Sequence, residues 1–257
     1  MGFFWAGAFT PGDGRNSWRN GQSEQGTAGV GLKPWEMSLW IGPPTDLAKL
    51  EHLQQRVWGC AAVEVVPSHL LQAHTHHGGC VLEARLGAVL VGMVYGFPGP
   101  PGSDYLYSHL AAVDPEQQGR GYGKQLKLAQ ADWARERGYR RIVWTFDPLQ
   151  ALNARLNVAT LGATCNRYLV DYYGELNDGL NRGVSTDRFE VDWWLTPPGK
   201  GPVQERVGFP WPLADRAHWR EVTRPQFQAA FARGLSVLGF ETMDGQAVYS
   251  LGVVDAD

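Results

Sequence analysis

Cysteine is scarce in this chain of 257 residues: Cys60, Cys80 and Cys165 are all there is, an odd number with no Cys-x-x-Cys pair. That count argues against a disulfide framework or a cysteine-built zinc site and suits a reducing cytoplasm. The bland expectation for each is a small buried hydrophobe. Neither sign of charge dominates: 23 Lys+Arg against 26 Asp+Glu leave a net −3, so no basic footprint points to nucleic acid. No stretch approaches the roughly 20 apolar residues of a membrane span. The apolar opening, Met1-Gly2-Phe3-Phe4-Trp5-Ala6, is too short for a signal h-region and has no basic n-region. It carries Ala6 where N-myristoylation needs Ser or Thr. Metal-ligand spacing is also lacking. His74-Thr75-His76-His77 has no carboxylate or cysteine close by, so an exposed helix end is the simpler reading and no metal is expected.

Glycine, by contrast, is plentiful: 32 residues. Many lie in the first 34 positions, a Gly/Ser/Asn/Gln-rich stretch without periodicity that reads as a tail or draped arm. Met37, where a cleaner pattern begins, is a candidate natural start. Three more sit in Gln118-Gly119-Arg120-Gly121-Tyr122-Gly123-Lys124. This run follows the strand-like Tyr105–Val113, stopped by Asp114-Pro115, and opens a helix on which Tyr122, Leu126, Ala129 and Trp133 share a face. Gly138 then suits a helix C-terminus, and Arg141–Phe146 reads as a buried strand. The whole is a β-α-β unit with parallel strands and a right-handed crossover. Glycines let a backbone approach a ligand closely, and the first N–H groups of a helix have no intrahelical partner, so the turn is a phosphate cradle.

The spacing excludes the two commonest nucleotide motifs. A P-loop needs Gly five residues before Gly123, where Gln118 stands, and Ser or Thr after Lys124, where Gln125 stands. A dinucleotide fingerprint would place its last glycine at Lys124. Gln/Arg-x-x-Gly-x-Gly/Ala does fit, and the segment resembles the acyl-CoA pyrophosphate loop of the GNAT superfamily of N-acyltransferases.

The resemblance covers roughly residues 37 to 195. It implies an α+β fold, an α/β/α sandwich with a mixed, mostly antiparallel sheet and one splayed parallel strand pair. Here a C-terminal β-rich extension would be added. Residues 1–35 would be a Gly-rich extension, 36–196 the acyltransferase domain and 197–257 an extension packed on the core or exchanged between subunits. The implied co-substrate is acetyl-CoA or another acyl-CoA. Its diphosphate would lie on Gln118, Gly119, Arg120, Gly121, Tyr122, Gly123 and Lys124, its pantetheine on the Ala111 to Val113 backbone, and Asn153 would touch it too. Lys127 is a weaker candidate than Lys124. Superfamily members commonly place a Tyr four residues before the glycine equivalent to Gly162, as acid for the leaving thiolate; here that position is Val158, a departure that leaves the acid open.

Segments around Asn166–Leu169, Tyr172–Glu175, Asp187–Phe189 and Trp219–Arg224 resemble a subgroup linked with N-succinylamino-acid racemases. That implies an acetyl or succinyl donor and an amino-acid acceptor. Among the residues themselves, His109 is the candidate general base, suited by its ordinary pKa; Glu83 is a second, though a solvated strand Glu is the blander reading. Tyr168 is the candidate acid, with Tyr172 and Tyr173 close in sequence. Arg220 and Arg224, and less so Arg167, could hold a substrate carboxylate by a bidentate fork. The expected activity is direct acyl transfer to a small-molecule amine in a ternary complex, in the cytoplasm, with neither nucleic acid nor membrane as partner and a homodimer open to it. A non-catalytic acyl-CoA-binding sensor or scaffold is the alternative; a peptide N-acetyltransferase is a third reading.

Overall fold

A computed structural model describes residues 38–59, 61–174 and 185–255. The N-terminal extension, Cys60 and the Gly/Asn/Asp link within 175–184 lie outside them.

The chain folds in the order β1 (Leu39–Gly42), α1 (Leu47–Trp58), α2 (Ser68–His76), β2 (Cys80–Leu86), β3 (Val89–Pro98), β4 (Tyr105–Val113), α3 (Tyr122–Arg135) and β5 (Arg141–Phe146). There follow α4 (Ala151–Ala154), a single π-helical turn over 155–160, β6 (Thr164–Leu169), β7 (Arg188–Trp194), β8 (Lys200–Pro210), α5 (Arg216–Ala232), β9 (Ser236–Met243) and β10 (Gln246–Val254). The strands form one sheet in the order β1-β2-β3-β4-β5-β7-β6-β9-β10-β8. Every pairing in it is antiparallel except β4 with β5. This is the expected mixed α+β architecture of the GNAT type, with extra C-terminal strands.

Two apolar clusters sandwich the sheet. Leu50, Leu53 and Val57 of α1 and Leu71 of α2 pack on Met93, Tyr95, Leu110 and Ala112. Leu126, Ala131 and Ala134 of α3 pack on the opposite face with Leu106, Ile142 and Trp144, in a cluster that continues to Phe227 and Ala230 of α5. Local signals explain most boundaries. Asp46 caps α1: its Oδ1 accepts from Ala48 N at 3.1 Å and Lys49 N at 3.4 Å. Thr45 donates to Glu83 Oε1 at 3.0 Å.

Two C-terminal elements differ from the sequence reading. Residues 196 to 217 look like a Pro/Gly-rich connection, yet β8 runs through them. It is the edge strand beside β10, where Pro202 and Pro210 cost least because one side of the backbone has no strand to bond. Helix α5 starts at Arg216, inside that same stretch. Asp215 caps it, accepting from His218 N at 2.9 Å, and Pro225 lies inside it. Read as a helix starter, that proline hides the two preceding turns.

Candidate active site

Strands β4 and β5 pair over only three positions, Tyr105↔Arg141, Leu106↔Ile142 and Tyr107↔Val143. Beyond Tyr107 they part, so the β5-facing backbone of β4 up to Val113 has no ladder to β5. The same stretch is bulged. Tyr95 opposes Leu110 and its neighbour Gly96 opposes Ser108, which leaves His109 as the extra residue. A bulge bends a strand and re-aims its side chains. Before it, Leu106 and Ser108 face α3; after it, Leu110 and Ala112 face α1 and α2. The candidate base is thus the bulged residue itself.

At the C-terminal end of β4 the chain enters the glycine turn. Gly119 and Gly121 have φ of 77° and 81°, the left-handed region in which a side chain is strained. Gly121 is the N-cap of α3 and makes no side-chain cap hydrogen bond, so the helix start is not closed by its own chain. Gly119, Arg120, Gly121 and Lys124 are exposed. Gln118 turns back, donating from Nε2 to Val113 O at 3.1 Å, and ties the turn to the β4 edge. This brings Ala111, Val113 and the 118–124 run to one end of the opening, as an extended diphosphate-bearing thioester needs.

Other candidates fall differently. Lys127 is not a phosphate-facing lysine: at 1 % exposure it is buried under the sheet. Its Nζ donates to Ser108 Oγ at 3.0 Å and Gln130 Oε1 at 3.2 Å and lies 3.7 Å from the Trp144 ring centroid. Burial holds its pKa well below the usual lysine value. It also explains the helix face: the buried positions of α3 are Gly123, Leu126, Lys127, Gln130, Ala131 and Ala134, with Tyr122, Ala129 and Trp133 half-buried beside them. Two polar residues in that stripe disguise it. Asn153 is buried in α4, where its Nδ2 donates to Gln150 Oε1 at 2.6 Å. Val158 is buried in the π-helical turn.

Among the acid–base candidates, His109 lies at the opening, half-buried among aromatic rings. Its centroid is 5.6 Å from Tyr95, 5.9 Å from Phe97 and 6.5 Å from Tyr107. Burial pushes its imidazole down to about 4, so it is neutral at pH 7 but a weaker base than the ordinary histidine the sequence suggests. Glu83 is not solvated: it is fully buried and paired with Arg85, whose Nε lies 2.5 Å from Oε1. Tyr168 donates its hydroxyl to Asp187 Oδ2 at 2.7 Å, and burial, then that bond, raises its pKa; it stacks on Phe227 rather than joining His109.

The tyrosine that does reach the opening is Tyr173. Its hydroxyl lies 2.9 Å from Thr145 Oγ1 on β5 and 3.5 Å from Tyr107 Oη on β4, across the parting strands. A short turn aims it there: β6 ends at Leu169, Asp171 adopts a φ of 46°, and Thr186 receives Tyr173 N at Oγ1 (3.0 Å) while donating its own N–H to Asp171 Oδ1 (3.0 Å). The sequence signal was present in the Tyr172-Tyr173-Gly174 run, where a glycine follows the paired tyrosines.

The arginine forks are occupied. Arg220, 2 % exposed, pairs with Asp147 Oδ2 at 2.8 Å. Arg224 grips Asp187 with Nε at 2.7 Å and Nη2 at 3.0 Å. Neither presents a free fork to a substrate carboxylate, and each instead fastens α5 to the ends of β5 and β7. Arg167 is exposed and pairs with Glu190 at 2.8 Å. His74 of the histidine run bonds the Tyr95 hydroxyl. Elsewhere, Lys49, His52, Arg56 and Asp114 help line an open groove of about 830 Å³ outside the strand opening.

Known proteins bear on this arrangement. Residues 47–156 match the family model described as "Acetyltransferase (GNAT) family". No curated protein matches the chain in sequence. Among solved structures, a protein assigned to the GNAT acetyltransferases from Desulfovibrio desulfuricans shares 17% identity at a TM-score of 0.51, over 62% of this chain and 100% of its own. YncA from Salmonella typhimurium, solved with its cofactor acetyl-CoA, shares 18% identity at 0.51, over 65% of this chain and 98% of its own. At these identities the likeness shows the fold. The family match over residues 47–156 falls within a sheet of GNAT-like architecture that parts between β4 and β5.

Proposed function

We propose that the protein is an acyl-CoA-dependent N-acyltransferase that moves an acetyl or succinyl group to a small amine by direct transfer. The observation that carries this reading is the opening between β4 and β5, unpaired after Tyr107, with an uncapped, glycine-built helix start at its end. Backbone N–H groups at Gly119 to Lys124 would hold the diphosphate, helped by the exposed cations Arg120 and Lys124 and by the positive end of α3. The free edge at Ala111 to Val113 would hydrogen-bond the pantetheine and polarise the thioester carbonyl, supplying the main-chain donor that stabilises a tetrahedral oxyanion.

The amine nitrogen attacks the thioester carbon; a C–N bond forms and the C–S bond breaks. The proton lost from nitrogen goes to His109, the histidine at the opening, directly or through a water. The thiolate takes a proton from Tyr173 or from solvent. Tyr173 stands in the opening, whereas Tyr168 would first have to surrender its bond to Asp187. Support for an amino-acid acceptor is weak, because the arginines that would read its carboxylate are engaged within the chain.

Titration of the protein with acetyl-CoA in a calorimeter, followed by thiol release over an amine panel, tests the reading. Heat plus amine-dependent thiol release supports it. Heat without release from acetyl-CoA or succinyl-CoA returns the protein to the sensor class, and no heat with any acyl thioester removes both.

A further inference from the structure

We propose that Phe97, Tyr107, His109 and Tyr173 form the acceptor subsite and that it selects an amine carrying an aromatic ring; this rests on the acyltransferase reading above. The four side chains come from β3, β4 and the turn after β6, and converge where the strands part. Phe97 lies 5.3 Å from Tyr107 and 5.9 Å from His109, centroid to centroid. The Tyr107 and Tyr173 hydroxyls lie 3.5 Å apart. Phe97, Tyr107, His109 and Tyr173 are each only half-buried, so ring surface remains for a ligand. Tyr95, buried behind them, fixes His109 edge-on at 5.6 Å and is itself held by His74.

The chemistry of the lining decides between acceptor classes. A polyamine needs a carboxylate for its second ammonium. Glu83 is fully buried and bound to Arg85 and Thr45, and Glu190, opposite Thr145 on β7, is paired with Arg167. An amino acid needs an arginine fork, and Arg220 and Arg224 are paired with Asp147 and Asp187. Arg188 comes near, 5.4 Å over the Tyr173 ring, but it donates to Asp187 O and is buried. What remains are neutral aromatic faces and edges, which favour another ring in offset or edge-on contact over an aliphatic chain of equal size. An aromatic ring seated there places its amine beside His109.

The test uses the whole purified protein with acetyl-CoA and four acceptors: 2-phenylethylamine, hexylamine, spermidine and phenylalanine. The expected result is a kcat/KM for 2-phenylethylamine about tenfold or more above that for hexylamine, a preference of the size ring contacts provide, with spermidine and phenylalanine lower still. Phe97→Leu, a swap that largely conserves volume and stability, should remove most of the preference while leaving the KM for acetyl-CoA unchanged. Saturation-transfer NMR of 2-phenylethylamine on the protein without acyl-CoA should show the ring protons in contact, and Phe97→Leu should weaken that signal. Equal or better turnover of hexylamine or spermidine overturns the subsite and leaves the acyltransferase reading standing. Absent ring-proton contact overturns it as well. Loss of acetyl-CoA heat in the calorimeter would instead strike the acyltransferase reading, and the NMR result still judges the subsite.

Discussion

The two ends of the β4–β5 opening use polar groups in opposite ways. At the β4 end, Gly121 starts α3 without a side-chain cap, and Arg120 and Lys124 stay exposed. At the β5 end, donors and acceptors are spent within the chain: Asp147 on Arg220, Asp187 on Arg224, Tyr168 and Ser185, and Pro148 O on the Tyr249 hydroxyl at 2.7 Å. One end is left open. The other is a brace, and most of it comes from strands and a helix beyond residues 47–156. The difference teaches that a charged side chain near a site is informative only once its partner is known: the arginines that looked most like substrate ligands from sequence hold the brace together.

Breaking the brace should cost most. Arg220→Leu leaves the buried Asp147 carboxylate with the Leu149 N–H at 2.9 Å and the more distant Arg216 at 3.7 Å, and chemical denaturation should show a loss of about 3 kcal/mol or more. Breaking the cradle should cost function more than fold. Nothing lies within 4 Å of a Cβ at Gly121, so Gly121→Val pays only the left-handed backbone strain, about 1–2 kcal/mol of stability. The added side chain also enters the ligand's approach, and the KM for acetyl-CoA should rise about a hundredfold, or about 2.7 kcal/mol. His109→Ala should lower kcat by about a hundredfold at unchanged acetyl-CoA KM, the lower range for a positioned base.

A pH experiment separates the two faces of β4. With its pKa held down, folded Lys127 binds fewer protons than the unfolded lysine at about 10.4. Wild-type stability should therefore climb as pH rises from 7 towards 10, and Lys127→Met should flatten that slope. His109 behaves alike at lower pH: its contribution is complete above about 6.5 and is lost as pH falls towards about 4. The smallest effect belongs to the exposed Arg167–Glu190 pair, where Arg167→Ala should change stability by less than about 1 kcal/mol.

Much of this was legible before any coordinates. The glycine turn needs residues without a Cβ at fixed spacing, and the strands around it are apolar runs bounded by Pro and Gly, so local chemistry displays them. The candidate base His109 was visible for the same reason, as a polar residue in an apolar strand. What stayed hidden is long-range. The bulge at His109 exists only in the pairing of β4 with β3. The burial of Lys127 depends on Ser108, 19 positions away, and the engagement of Arg220 on Asp147, 73 positions away. Strand β8 is concealed because an edge position tolerates prolines that normally rule a strand out.

The most direct test of the central claim follows backbone amide NMR shifts while acetyl-CoA is added to the full-length protein. The account predicts the largest changes at Gly119, Gly121, Tyr122, Gly123 and Lys124, with a second set at Ala111 to Val113. Changes confined to the Lys49–Arg56 groove, with the glycine turn silent, would contradict it.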